Sequence, residues 1–167
     1  TPYETAKYMA QLFSIPTQKV IRILDPGAGS GVLAAALIER ILKVKGVEKL
    51  ELICYENNSS IIPLLESNLS YIKENTKIPL DYKIIEENYI TSQGEDFNGL
   101  IGAKQRFANY FDCIIGNPPY KKIPKDAPEA TSMPLVCHGA PNLYFLFAAM
   151  SVYNLNSDGE LVYIIPR

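Results

Sequence analysis

The chain is predicted to fold as an α/β domain, with a parallel or mostly parallel sheet and helices packed on both faces. Three observations carry that prediction. Short runs of β-branched and aliphatic residues alternate with stretches of helical period along the 167 residues, the order that builds a parallel sheet through crossover helices. The first such run feeds a glycine-rich turn and then a helix, which is the nucleotide-binding arrangement. Asp25, Glu56, Asn88 and Asn117 stand at the carboxyl ends of four of these runs, the rim where open α/β sheets hold their ligands.

The elements follow in order. Thr1, Pro2 and Glu4 read as N-cap, first helical residue and capping box, opening a helix whose apolar stripe is Tyr8, Leu12 and Phe13. Val20–Leu24 is a strand, and Asp25-Pro26-Gly27-Ala28-Gly29-Ser30-Gly31 is the turn after it. Val32–Leu42 is helical, Leu50–Tyr55 alternates as a strand, and Asn57, Asn58 and Ser59 supply cap candidates before a helix over Ile61–Tyr71. Further strands fall at Tyr82–Glu86, Phe111–Ile115 and Leu161–Ile165, with a helix over Asn142–Tyr153 that carries Leu143, Phe147 and Met150 at helical spacing. Between Tyr120 and Pro141 no period is visible. That stretch reads as a solvated loop whose Lys121, Lys122 and Lys125 are available to phosphates.

Composition sets bounds on this reading. With 47% hydrophobic residues the chain fills one core, so residues 1–167 are expected to form one domain. Three cysteines without paired spacing fit a reducing compartment. His138 is the only histidine, and no ligand spacing accompanies it, so no metal site is expected. No apolar run reaches membrane-spanning length, and no secretory leader pattern appears. A net charge of −2 argues against strong polyanion binding by these residues alone.

Two motifs carry chemistry. Gly116-Asn117-Pro118-Pro119-Tyr120 follows a buried strand directly. Two proline rings fix φ and stiffen the turn, so the Asn117 amide oxygen and the Pro118 carbonyl point in set directions. Both can accept from one exocyclic amino group while Tyr120 stacks on the ring that bears it. Such an amine is a poor nucleophile because its lone pair is delocalised, and two acceptors drawing on its hydrogens free that pair. The glycine-rich turn departs from Gly-x-Gly-x-x-Gly and lacks Gly-Lys-Ser/Thr. Asp25 there would repel a pyrophosphate and welcome an ammonium, so the expected ligand joins a nucleoside half to an amino-acid half. Glu56, at the end of the second strand, is placed to accept from both ribose hydroxyls.

Together these motifs resemble the S-adenosylmethionine-dependent methyltransferases that modify the N6 amino group of adenine in DNA, in particular restriction–modification methyltransferases whose cofactor region precedes the catalytic region. The resemblance implies a Rossmann-like methyltransferase fold with a mostly parallel sheet, helices on both faces and truncation at the C-terminal side. It implies S-adenosylmethionine as cofactor, held by Thr1 and Pro2, by Asp25, Gly27, Ala28, Gly29 and Gly31, by Glu56 and Asn57, by Asn88 and Tyr89, and by Asn117. Asn88 departs from the Asp common there; it keeps an acceptor and loses a charge. Asn117, Pro118, Pro119 and Tyr120 match the catalytic motif. The implied reaction rotates adenine out of the duplex, at roughly a few kcal/mol, and methylates it.

The chain opens on Thr-Pro rather than Met and closes at Pro166-Arg167 after a core strand. It is therefore expected to be a catalytic domain without its C-terminal target-recognition domain, binding cofactor but methylating DNA weakly or not at all on its own. The implied partners are double-stranded DNA, through that missing domain, and a restriction subunit or fused nuclease; no membrane partner is expected. The implied location is a bacterial or archaeal cytoplasm. Two alternatives share the motif: glutamine N5-methylation of a translation release factor, and a catalytically silent remnant of the fold.

Overall fold

The computed structural model describes residues 1–137 and 139–165. His138, Pro166 and Arg167 lie outside the described residues, and the expectations that fall on them lie there too.

Among the described residues five parallel strands form the sheet: β1 (Val20–Asp25), β2 (Lys49–Tyr55), β3 (Leu80–Ile85), β4 (Phe111–Gly116) and β5 (Leu155–Tyr163), in the order β3-β2-β1-β4-β5. Strand order reverses at β1, between β2 and β4, so a crevice opens there at the carboxyl ends. The register sets Asp25 beside Cys54 and Leu24 beside Ile114. β4 is buried at every position and β1 at four of its six, so both read as mostly apolar runs, interrupted by Asp112 in β4 and Arg22 in β1.

Helices α1 (Tyr3–Gln11), α2 (Val32–Ile41) and α3 (Ile62–Asn75) cover one face of the sheet. Their buried residues, including Met9, Ala34, Leu37, Leu65 and Leu69, pack with Ile21, Ile23, Leu50, Leu52 and Ile115. The other face is covered by α4 (Gly94–Phe97), α5 (Pro128–Ser132) and α6 (Leu143–Asn154). Leu146, Phe147 and Met150 of α6 join Leu24, Phe111 and Ile114 there. Asn142 caps α6 by accepting from the Tyr144 N–H at 3.3 Å. No helix among the described residues is long and apolar enough to cross a membrane.

Four local expectations are corrected. Pro2, not Thr1, occupies the N-cap of α1, and no side chain caps that helix, because Thr1 is engaged elsewhere. The stripe along α1 is Ala6, Met9 and Ala10; Tyr8 and Leu12 are exposed, and only Phe13 of the expected three is buried. Small residues on that face let α1 approach α2. β5 begins at Leu155 rather than Leu161. Phe111 pairs with Leu155 and Cys113 with Glu160, so Asn156–Gly159 bulges out of register. That polar run reads as a turn because its side chains serve the bulge: Asn156 bonds Asp112 and also accepts from the Asp158 N–H at 3.0 Å.

The fourth correction concerns the stretch from 120 to 141, which is more than a solvated loop. It carries α5 and buries Ile123, Ala130 and Met133. Backbone bonds from Ile123 N–H to the Pro141 carbonyl (3.0 Å) and from Leu143 N–H to the Lys121 carbonyl (2.7 Å) close its base. Lys121, Lys122 and Lys125 do remain exposed. Pro128 followed by Glu129 is a helix-start pattern legible in the sequence.

Candidate active site

The crevice between β1 and β4 holds a cavity of about 290 Å³. Of the residues expected to bind a ligand, Gly27, Glu56, Asn57, Asn88, Tyr89, Asn117 and Pro119 line it. The segments that follow four strand ends therefore converge there, joined by α5 and α6. Six further residues, not expected as ligand contacts, complete it: Pro26, Tyr55, Glu87, Glu129, Leu143 and Phe147.

The glycine-rich turn is shaped by close packing. Gly29 and Gly31 have φ of +54° and +82°, a region that L side chains avoid. A Cβ on Gly31 would also stand 2.9 Å from Leu65 Cδ1. The Ala28 N–H donates to the Tyr55 carbonyl (3.0 Å) and the Gly29 N–H to Glu56 Oε2 (2.9 Å). Glu56 Oε1 accepts from the Asn58 N–H at 2.8 Å. Glu56 thus fastens the first turn to the second. A carboxylate has about four acceptor positions, so two remain for a ligand.

Asp25 lies beneath this turn, fully buried rather than in the cavity wall. Among the described residues, neither carboxylate oxygen has a hydrogen bond of good geometry. Burial pushes its pKa up to about 7; nearby N–H groups of Gly27 and Ala34 pull the other way, and the charge of Glu56 adds to the rise.

At the end of β4 the Asn117 amide is bound on both sides. Its Nδ2 donates to Thr1 Oγ1 at 3.1 Å, which joins the two ends of the motif set. Its Oδ1 takes the Tyr120 hydroxyl, which also lies 2.8 Å from the Ile164 carbonyl. The Tyr120 ring is half exposed and meets Tyr144 edge-on at 6.3 Å between centroids. The Tyr120 hydroxyl takes one of the two acceptor positions of Asn117 Oδ1 and leaves the other open.

Gly116 fixes where the turn starts. A Cβ there would stand 2.5 Å from Tyr163 Cε1, and the Tyr163 hydroxyl is held by Ser151 at 2.6 Å. Gly116→Ala is therefore expected to destabilise the fold by roughly 1–3 kcal/mol, read as a lower denaturant midpoint. An unchanged midpoint would mean that Tyr163 yields freely.

Asn88 is used locally. Its Oδ1 accepts from the N–H groups of Ile90 (3.0 Å) and Thr91 (3.1 Å), and its Nδ2 donates to Glu129 Oε1 at 2.8 Å. Tyr89 is buried, with its hydroxyl 2.7 Å from Asn154 Oδ1 and 3.0 Å from Ser151 Oγ.

Residues 43–167 match the Eco57I restriction-modification methylase family. The chain belongs to this family. It is 33% identical over 171 residues to the Type II methyltransferase M.BsuBI of Bacillus subtilis, covering 100% of this chain and 33% of that protein. It is 33% identical over 148 residues to the Type II methyltransferase M.PstI of Providencia stuartii, covering 87% of this chain and 28% of that one. The chain thus spans about a third of the length of these curated relatives. The type I restriction-modification methyltransferase subunit of Streptococcus thermophilus superposes with a TM-score of 0.67 at 21% identity, over 99% of this chain and 34% of that one, and shows the same fold.

In this chain the cavity wall has one sign of charge. Glu56, Glu87 and Glu129 line it, and none of the described lining residues is basic. Glu87 is compensated from behind by Arg106 at 2.7 Å. The site therefore favours cationic and hydrogen-donating groups over phosphates.

Proposed function

We propose that residues 1–167 form one methyl-transferring domain that uses S-adenosylmethionine and acts on the N6 amino group of adenine in DNA, within a restriction–modification system. One observation carries the reading above the others: the Asn117–Tyr120 turn opens onto a cavity walled by carboxylates without a basic residue. That wall disfavours a dinucleotide and favours a nucleoside bearing positive charge. S-adenosylmethionine has an ammonium, a sulfonium and no phosphate. The unpartnered, buried Asp25 carboxylate adds to the fit, since a buried anion gains most from a nearby cation.

Glu56 would take the ribose hydroxyls, and the Gly27–Gly29 backbone would face the amino-acid half. When bound, S-adenosylmethionine supplies a methyl group on an electrophilic sulfur. The chain's own residues then act on the nucleophile. Asn117 Oδ1 and the Pro118 carbonyl accept from the amine and free its lone pair, and Tyr120 stacks on the base. Thr1 orients Asn117 from the far end of the motif set.

DNA is the favoured substrate class because the relatives at 33% identity are Type II methyltransferases. The net charge of −2 favours site selection on double-stranded DNA by sequence other than these residues, with the nuclease either fused or separate. The reading carries with it a bacterial or archaeal cytoplasmic location.

Calorimetric titration of the chain with S-adenosylmethionine is expected to give saturable binding. Digested DNA from the methyltransferase that bears this domain is expected to contain N6-methyladenine by mass spectrometry. Methylated cytosine instead would overturn the base assignment, and no binding by the folded chain would overturn the cofactor.

A further inference from the structure

We infer that Glu129 is the acceptor for the exocyclic amino group of the nucleoside held in the cavity, a role that the motif pattern gives to Asn88. The inference rests on the cofactor reading above and names a specificity residue within it. The hydrogen bonds of Asn88 are already spent: its only acceptor, Oδ1, takes two backbone N–H groups at the start of the 3-10 turn Thr91–Gln93. What Asn88 turns toward its neighbour is a donor, and that donor meets Glu129 Oε1 at 2.8 Å. An adenine amino group is itself a donor, so Asn88 has nothing to offer it. Glu129 does: Oε2 has no hydrogen-bond partner among the described residues, and the side chain lines the cavity.

The other two carboxylates of the wall are less suited. Glu56 is fixed by the N–H groups of Gly29 and Asn58 at the ribose end, and Glu87 pairs with Arg106. Glu129 is partly buried and held from two sides. Asn88 orients one oxygen, and α5 is seated against α4, where a Cβ on Gly94 would stand 2.8 Å from Ser132 Cβ. Asn98 Nδ2 donates to the Ser132 carbonyl at 2.9 Å and pins the same helix. The charge that Asn88 lacks is thus supplied from the segment after the catalytic turn.

The consequence is discrimination between a 6-amino and a 6-oxo purine. A carboxylate accepts from an amine but faces a ring carbonyl with lone pair against lone pair. The test is calorimetric titration of the chain with S-adenosylhomocysteine and with its 6-oxo counterpart, S-inosylhomocysteine, for the parent and for Glu129→Gln. The parent is expected to prefer the amino ligand by about tenfold to a hundredfold. Glu129→Gln, which can donate as well as accept, is expected to shrink that preference to less than about threefold. Because the parent comparison involves no substitution, it holds even if the variant folds poorly. If the parent binds both ligands equally, or the variant keeps the full preference, Glu129 does not read the amine while the cofactor reading stands. If the parent binds neither ligand, the cofactor reading falls and this inference with it.

Discussion

Asn117→Ala is expected to lower methyl-transfer turnover by about a hundredfold to a thousandfold, the range for loss of one preorganised polar group at the reacting centre. Affinity for S-adenosylmethionine should stay within about twofold, because less than ~0.5 kcal/mol of binding is at stake. The separation follows from where the amide sits. Asn117 lies at the lip of the cavity and bonds Thr1 and Tyr120, not the glycine-rich turn. Its loss removes an acceptor for the nucleophile and leaves Glu56 and the turn untouched. Single-turnover rates measure the first quantity and calorimetry the second. A fall in cofactor affinity as large as the fall in rate would reassign Asn117 to cofactor binding. Tyr120→Phe is a useful companion: it keeps the ring and removes the hydroxyl that occupies Asn117 Oδ1.

The contacts of Asn117 also mark what a linear reading reaches and what it does not. That Asp25, Glu56, Asn88 and Asn117 share one rim was legible, because strand period and the carboxyl-end rule need only local sequence. The family resemblance was legible in the same residues, and the match over residues 43–167 bears it out. What each polar group does with its lone pairs was not legible. Asn88 looks like a ligand acceptor in one dimension, yet the N–H groups of Ile90 and Thr91 consume its oxygen. Thr1 looks like a helix cap, yet a partner 116 positions away takes its hydroxyl. Glu129 had a local signal in Ala127-Pro128-Glu129 as a helix start. Its place in the wall depends on Gly94 and Asn98, which no periodicity connects to it. β5 failed for a related reason: the bulge at Asn156–Gly159 is a tertiary pairing written in turn residues.

Asp25 is expected to make stability and ligand affinity move in opposite directions with pH. Its pKa in the folded chain is about 7, raised by burial from an ordinary 3.8. Between those two values the folded state holds a proton that the unfolded state has lost. Stability from this group is therefore greatest below about pH 4, falls as pH rises, and levels off above about pH 7. Asp25→Asn approximates the protonated acid in size and charge. At pH 8 it should be more stable than the parent by roughly 4 kcal/mol, the equivalent of that displacement, and at pH 4 nearly equal to it. A cationic ligand reverses the preference, because it draws Asp25 to the ionised form. Affinity for S-adenosylmethionine should then rise from pH 6 to pH 8, with proton release that makes the binding enthalpy depend on the buffer. The Asn variant should bind weakly at every pH and release no proton. Denaturant midpoints of parent and variant at pH 5 and pH 8, with calorimetry in two buffers, measure both limbs. A constant difference in midpoint would mean that Asp25 is already ionised at pH 5 and has a partner. Proton release that persists in Asp25→Asn would assign the linkage to another group. The expected pattern is a stability gain joined to a binding loss in one substitution, the signature of a charge kept buried for its ligand.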